Sequence, residues 1–178
     1  NFMSSVIRWF AVLSVTLMLV ANVSAQESPK PGPEHQKLKE LEGTWDAVMK
    51  FGDTEPKGMV VYKMEVGGLW LTSDFQGEFA GEKFSGKGLD SYDPAKKKYV
   101  SVWVDSMITS PLITEGTYDK EGKVLTMTGE GPGPDGKSMK FKMVTEHKDK
   151  NTMLFTMFGP GEDGKEAAMF SISYKRRK

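Results

Sequence analysis

The chain contains no cysteine and only two histidines, His35 and His147. No disulfide, zinc–thiolate site or cysteine nucleophile can be built from it, and histidine-based metal or triad chemistry has little to draw on. An excess of either charge is missing as well, since 24 Lys and Arg balance 24 Asp and Glu. A near-neutral chain offers no electrostatic footprint for nucleic acid. No membrane-length apolar run appears: Trp9–Val20, "WFAVLSVTLMLV", has 12 residues, where a spanning helix needs roughly 20.

That short run is one part of a three-part pattern. Arg8 precedes it, and "ANVSA" follows, with small residues Val23 and Ala25 at the −3 and −1 positions of a cleavage site. This is the layout of a secretory signal peptide over residues 1–25. It predicts cleavage near Ala25, a periplasmic or secreted protein, and membrane contact through the signal peptide alone. Removing 25 of 178 residues leaves 153, with 23 of the 24 basic residues against 24 acidic ones. That length suits one domain with a real core. Residues 26–33, "QESPKPGP", read as an extended Pro-rich tether, and residues 34–178 as the folded domain.

"PEHQKLKELEG" (33–43) predicts one short helix. Pro33 suits its first position, Leu38 and Leu41 share a face, and Gly43 would end it. Beyond it lie ten strand-like segments: 45–51, 58–66, 69–77, 83–92, 99–106, 112–118, 123–130, 138–147, 152–158 and 166–175. The links between them are short and rich in Gly, Pro, Asp and Asn, so successive strands form hairpins. A meander of that many strands, without crossover helices, predicts an all-β, antiparallel up-and-down barrel, because closure removes exposed edges.

An even strand number has a geometric consequence. The first strand starts, and the last finishes, at one end of the barrel. If those strands pair, Trp45 meets a basic side chain from Lys175, Arg176 or Arg177, and a cation over an indole contributes about 0.5–2 kcal/mol. The links at Trp45's end are tight and Lys-rich. Those at the opposite end are longer and rich in Gly and Pro, as a mouth requires. Alternation alone leaves the inner face open: in "YVSVWVDS", Val100, Val102 and Val104 share one side, and Tyr99, Ser101, Trp103 and Asp105 the other.

Gly43-Thr44-Trp45 after a short helix, then a meander and a late basic residue, resembles the calycin superfamily of lipocalins, fatty-acid-binding proteins and avidins. In that superfamily the tryptophan closes the barrel floor and a late Arg or Lys packs across it. Over residues 31–178, "GPEHQKLKELEGTWD", "GLDSYDPAKKKYVSVWVDSM" and "EGTYDKEGKVLTMTGE" resemble the exported bacterial proteins of domain-of-unknown-function family 1579. The resemblance implies a lipocalin-like barrel and transfers no catalytic residue.

Several features then compete as sites. His35, at the helix start, reads as a helix-packing histidine before it reads as an acid–base group. Asp93-Pro94 is a turn start, and Asp105 could anchor a ligand head group inside the barrel. "GPGPDGK" and "GPGEDGK" are followed by strands, so they are hairpin links and not phosphate loops. Lys96, Lys97 and Lys98 form a basic turn. Gly86 and Gly88 mark a bend or a close approach within a strand. Nine of the twelve methionines fall in predicted strands, soft side chains that fill a core or line a cavity.

The reading these features favour is a binding module that holds a small apolar or amphipathic molecule. Trp70, Tyr92, Trp103, Asp105, Met143, Phe155 and Met157 are the expected lining, with no metal and no cofactor. The alternative is an envelope interaction or structural module with a filled core. An enzyme ranks third, for want of a nucleophile–base set.

Overall fold

The structure, a computed structural model, describes residues 28–178 except Ala80, Pro134, Asp135 and Glu162. The predicted signal peptide and the first two residues of the tether lie outside the described residues. One helix, α1 (Pro33–Lys39), leads into ten strands. They are β1 (Gly43–Lys50), β2 (Lys57–Glu65), β3 (Trp70–Phe79), β4 (Glu82–Asp93), β5 (Lys98–Asp105), β6 (Leu112–Tyr118), β7 (Val124–Pro132), β8 (Ser138–Asp149), β9 (Thr152–Pro160) and β10 (Glu166–Arg176). Every strand pairs antiparallel with its sequence neighbours, and β1 pairs with β10 to close the barrel.

The helix is shorter than its sequence suggests. It stops at Lys39, and the N–H groups of Leu41 and Glu42 bond to the carbonyls of Leu38 and Lys39 at 3.0 Å in tighter turns. Gly43 does not end the helix; it is the first residue of β1, at φ +121°, opposite Tyr62. A side chain there would strain the backbone and stand 3.1 Å from the Arg176 guanidinium. The chain turns instead through Glu42, whose carboxylate accepts the Met64 N–H at 2.8 Å and ties the helix exit to β2. At the helix start, His35 Nδ1 accepts the Gly32 N–H at 3.0 Å, and its ring packs edge-on against Tyr92.

Closure at Trp45 has the predicted geometry. Trp45 faces Arg176 in register, is 1% exposed, and lies 4.2 Å under the Arg176 guanidinium. Its indole N–H donates to the Leu41 carbonyl at 2.9 Å. Lys175 opposes Asp46 in register, and Arg177 pairs with the Asp46 carboxylate on the outside.

The inner face is now assigned. On β5 it carries Tyr99, Ser101, Trp103 and Asp105, which line the interior, while Val104 is exposed. Val104 gives the outer wall a β-branched side chain, and the bulky rings take the space inside. Trp103 owes its position to β4: a Cβ on Gly86 would lie 2.2 Å from the indole, so only glycine lets the ring lie flat there. In the two similar links, the N–H groups of Gly133 and Gly161 each donate to the carbonyl of the lysine four residues on, at 2.7 Å. At the lysine turn, Lys96 and Lys98 both pair with Glu115 on the neighbouring β6.

Candidate functional site: the barrel cavity

Buried side chains divide into two groups. Trp45, Ala47, Val60, Phe75, Met153 and Ile172 form one, and Leu38, Leu71, Tyr99 and Met127 the other. Both sit on the wall and at the helix end, and the space between them is hollow, with a cavity of about 480 Å³. That lies within the range of small-molecule sites, about 300–1,000 Å³.

The cavity has three zones along the barrel axis. At the mouth, the β1–β2 and β5–β6 links contribute Phe51, Met107 and Ile108, and strand ends add Phe79 and Met169. Phe51, Met107, Ile108 and Met169 are exposed there. The middle is apolar, built from Phe75 edge-on to Phe84 at 5.7 Å, with Trp103, Phe141, Phe155 and Phe170. At the inner end, under Leu38 and Leu41, the lining turns polar: Tyr62, Asp90, Tyr99, Tyr118, His147 and Tyr174.

The alternation of each strand builds this inner end. Asp90 is two residues from Gly88 on β4 and so shares its inward face; Ser101 opposes it on β5 and hydrogen-bonds its carboxyl. Burial holds the Asp90 pKa up at about 6, partly offset by that Ser101 bond. Burial likewise pushes the Tyr99 phenol up to about 12 and raises Tyr62, Tyr118 and Tyr174, so all four remain hydroxyls at neutral pH. Tyr118 and His147 share a 2.9 Å hydrogen bond. Burial, then the nearby Lys37 charge, lowers the His147 pKa and keeps its ring neutral.

The expected lining residues separate clearly. Trp103, Asp105, Met143, Phe155 and Met157 line the cavity. Asp105 is engaged by its own strand and turn, accepting the Trp103 indole N–H at 2.9 Å and the Met107 N–H at 2.8 Å. Trp70 does not line it, because it precedes the fully buried Leu71 on β3 and takes the opposite face. Tyr92 lies beyond the cavity, edge-on between His35 and Tyr99. The tyrosine group around Asp90 escaped the sequence reading. One inward residue on each strand would have revealed it, since Tyr62, Asp90, Tyr118 and Tyr174 follow by parity. Among the described residues, no group of three His, Asp or Glu side chains is placed to hold a metal.

A hollow, closed, ten-stranded up-and-down barrel with a helix across one end defines a lipocalin-like protein. The chain belongs to the family described as protein of unknown function DUF1579, whose profile matches residues 30–176. Among solved structures it is similar to Rv2717c from M. tuberculosis, at 17% identity and a TM-score of 0.57, over 83% of this chain and 99% of that one. It is also similar to the S-type phycobiliprotein lyase CPES from Guillardia theta, at 10% identity and a TM-score of 0.52, over 83% and 99% of the two chains. At these identities the likeness is one of fold. No functionally curated protein matches the chain significantly.

Proposed function

We propose that this protein is a binding module that holds a small amphipathic molecule inside its barrel. The observation that carries the reading is the polarity of the cavity, with an apolar middle open toward the mouth and a set of hydroxyl and carboxyl groups at the closed end. An apolar body buried along Phe75, Trp103, Phe141 and Phe155 would contribute about 25 cal/mol per Å² removed from water, and the inner end would fix its orientation. A filled-core interaction module would have no use for a 480 Å³ interior.

Native mass spectrometry of protein purified from its own host, with solvent extraction and analysis of the released molecules, tests the reading. A retained small molecule of stoichiometric mass, lost on unfolding, is the expected result. An interior that takes up neither a native molecule nor amphipathic probes overturns it. The proposal includes export: residues 1–25 act as the signal, and the mature chain starts near Gln26 in the periplasm or outside the cell. Intact mass of the mature protein checks that start.

A further inference from the structure

The chemistry of the inner end specifies which polar group it would take. Three acids, Glu78, Asp90 and Asp105, reach the cavity lining against one lysine, Lys57, and the neutral His147, and both Glu78 and Lys57 lie at the mouth end of their strands. Asp105 is already bonded to Trp103 and Met107. Asp90 is different. It lies deep in the barrel, its bond is the neutral Ser101 hydroxyl, and among the described residues it makes no ion pair. A carboxylate enclosed in this way is costly to ionise unless an opposite charge joins it.

Its surroundings are aromatic. Tyr99 and Tyr118 stack edge to face at 5.1 Å, and Tyr62 and Tyr118 both feel the Asp90 charge after the larger effect of burial. Tyr62 and Tyr174 both pack against the buried group around Trp45. Rings of this kind present negative faces and hydroxyl oxygens that can accept, a lining able to receive a cation beside the carboxylate. The helix already exploits it from outside, with Lys37 placing its ammonium 5.5 Å from the Tyr118 ring while pairing with Glu40.

We propose that the inner end selects a lipophilic amine, its ammonium seated against the Asp90 carboxylate beside Tyr62, Tyr99, Tyr118 and Tyr174, its apolar body running toward the mouth. The inference rests on the ligand-binding reading and sharpens it to a substrate class. A fatty-acid carboxylate would meet an acid at the inner end, where no lysine or arginine is among the lining residues to receive it. A neutral alcohol could bind, but would leave the Asp90 charge unpaired.

The pH dependence follows from the groups facing Asp90. These are Tyr62 on β2, Ser101 and Tyr99 on β5, Tyr118 on β6, His147 on β8 and Tyr174 on β10, with Glu34, Lys37 and Glu40 on α1 above them. The tyrosines keep their protons throughout the neutral range. On acidification Asp90 becomes neutral and His147 gains a charge, and both changes weaken amine binding.

Calorimetric titration of the delipidated protein with dodecylamine, dodecanol and dodecanoate separates the possibilities. Dodecylamine should bind at least about tenfold tighter than dodecanol, and dodecanoate weakest of the three. The amine-to-alcohol ratio should fall severalfold between about pH 7.5 and about pH 5. Asp90→Asn, nearly isosteric, should collapse that ratio toward one. Dodecanol binding as tightly as dodecylamine, or dodecanoate tighter than both, overturns the amine assignment while leaving the binding module standing. Binding of none of the three overturns both. The wild-type series decides the matter even if the variant fails to fold.

Discussion

At the scale of single residues, two side chains carry more than their contacts suggest. Arg176 covers the Trp45 indole and donates to the backbone carbonyls of Glu40, Glu42 and Lys150. One guanidinium thereby joins the helix exit, the β8–β9 link and the closing strand. Arg176→Ala should cost about 2–4 kcal/mol in urea denaturation, from the lost cation–π contact and charge-assisted bonds. Arg176→Lys should recover less than half, because an ammonium cannot fork to three carbonyls. Full recovery by lysine would show that charge alone matters.

Asp90 works in the opposite sense, as a residue the fold tolerates at a cost. Its pKa rises from 3.8 in the open chain to about 6 in the barrel. Below 3.8 both states hold the proton and no penalty exists. Between that value and about 6 the unfolded chain releases the proton while the barrel retains it, so stability falls as pH rises and then levels off. Asp90→Asn cannot ionise. Without ligand it should match the wild type near pH 3 and exceed it near pH 7.5 by up to about 3 kcal/mol. Equal stability at both values would mean that water in the cavity solvates the charge.

At the scale of elements, glycines decide how closely strands approach. Gly116 on β6 has the Thr126 carbonyl oxygen 1.9 Å from where a Cβ would stand, whereas Gly86 has the edge of the Trp103 ring. A backbone atom cannot step aside, and a side chain can. Gly116→Ala should therefore cost more than the roughly 1–3 kcal/mol typical of overpacking, and Gly86→Ala less, with Gly86→Ala altering the fluorescence of Trp103. Equal melting shifts for the two would refute this distinction.

The same local constraints explain what was legible beforehand. All ten strands, and the meeting of Trp45 with a late arginine, follow from turn residues and strand parity, which are local. The end of α1 was misplaced because Gly43 carries the sign of a helix stop, while its positive φ serves a strand start beside Arg176. Trp70 was misassigned because its size suggested the interior, whereas only the phase of β3, fixed by Leu71, could show that it faces outward. The phase of a strand is a property of the closed barrel. So is the convergence of Tyr62, Asp90, Tyr118 and Tyr174, which come from four strands.

At the scale of the whole molecule, nine of the ten strand pairings join sequence neighbours, and one joins the two ends of the domain. Trp45 and Arg176 meet across nearly the entire folded chain. Closing so long a loop costs entropy before its contacts repay it, so the β1–β10 seam should form after the hairpins. Two buried positions separate these stages. Met127, on β7, pairs with Met143 on β8 and Gly116 on β6, within consecutive hairpins, while Ile172, on β10, pairs with Met49 across the seam. Each truncation to alanine should cost about 2–5 kcal/mol at equilibrium. In stopped-flow chevrons Met127→Ala should slow folding, and Ile172→Ala should mainly speed unfolding with little change in the folding arm. If Ile172→Ala slows folding as much as Met127→Ala, the ends meet early and the barrel closes around its seam. The order matters for the cavity. A seam that forms last is also the first to open, and it would give a ligand deep in the barrel a route other than the mouth.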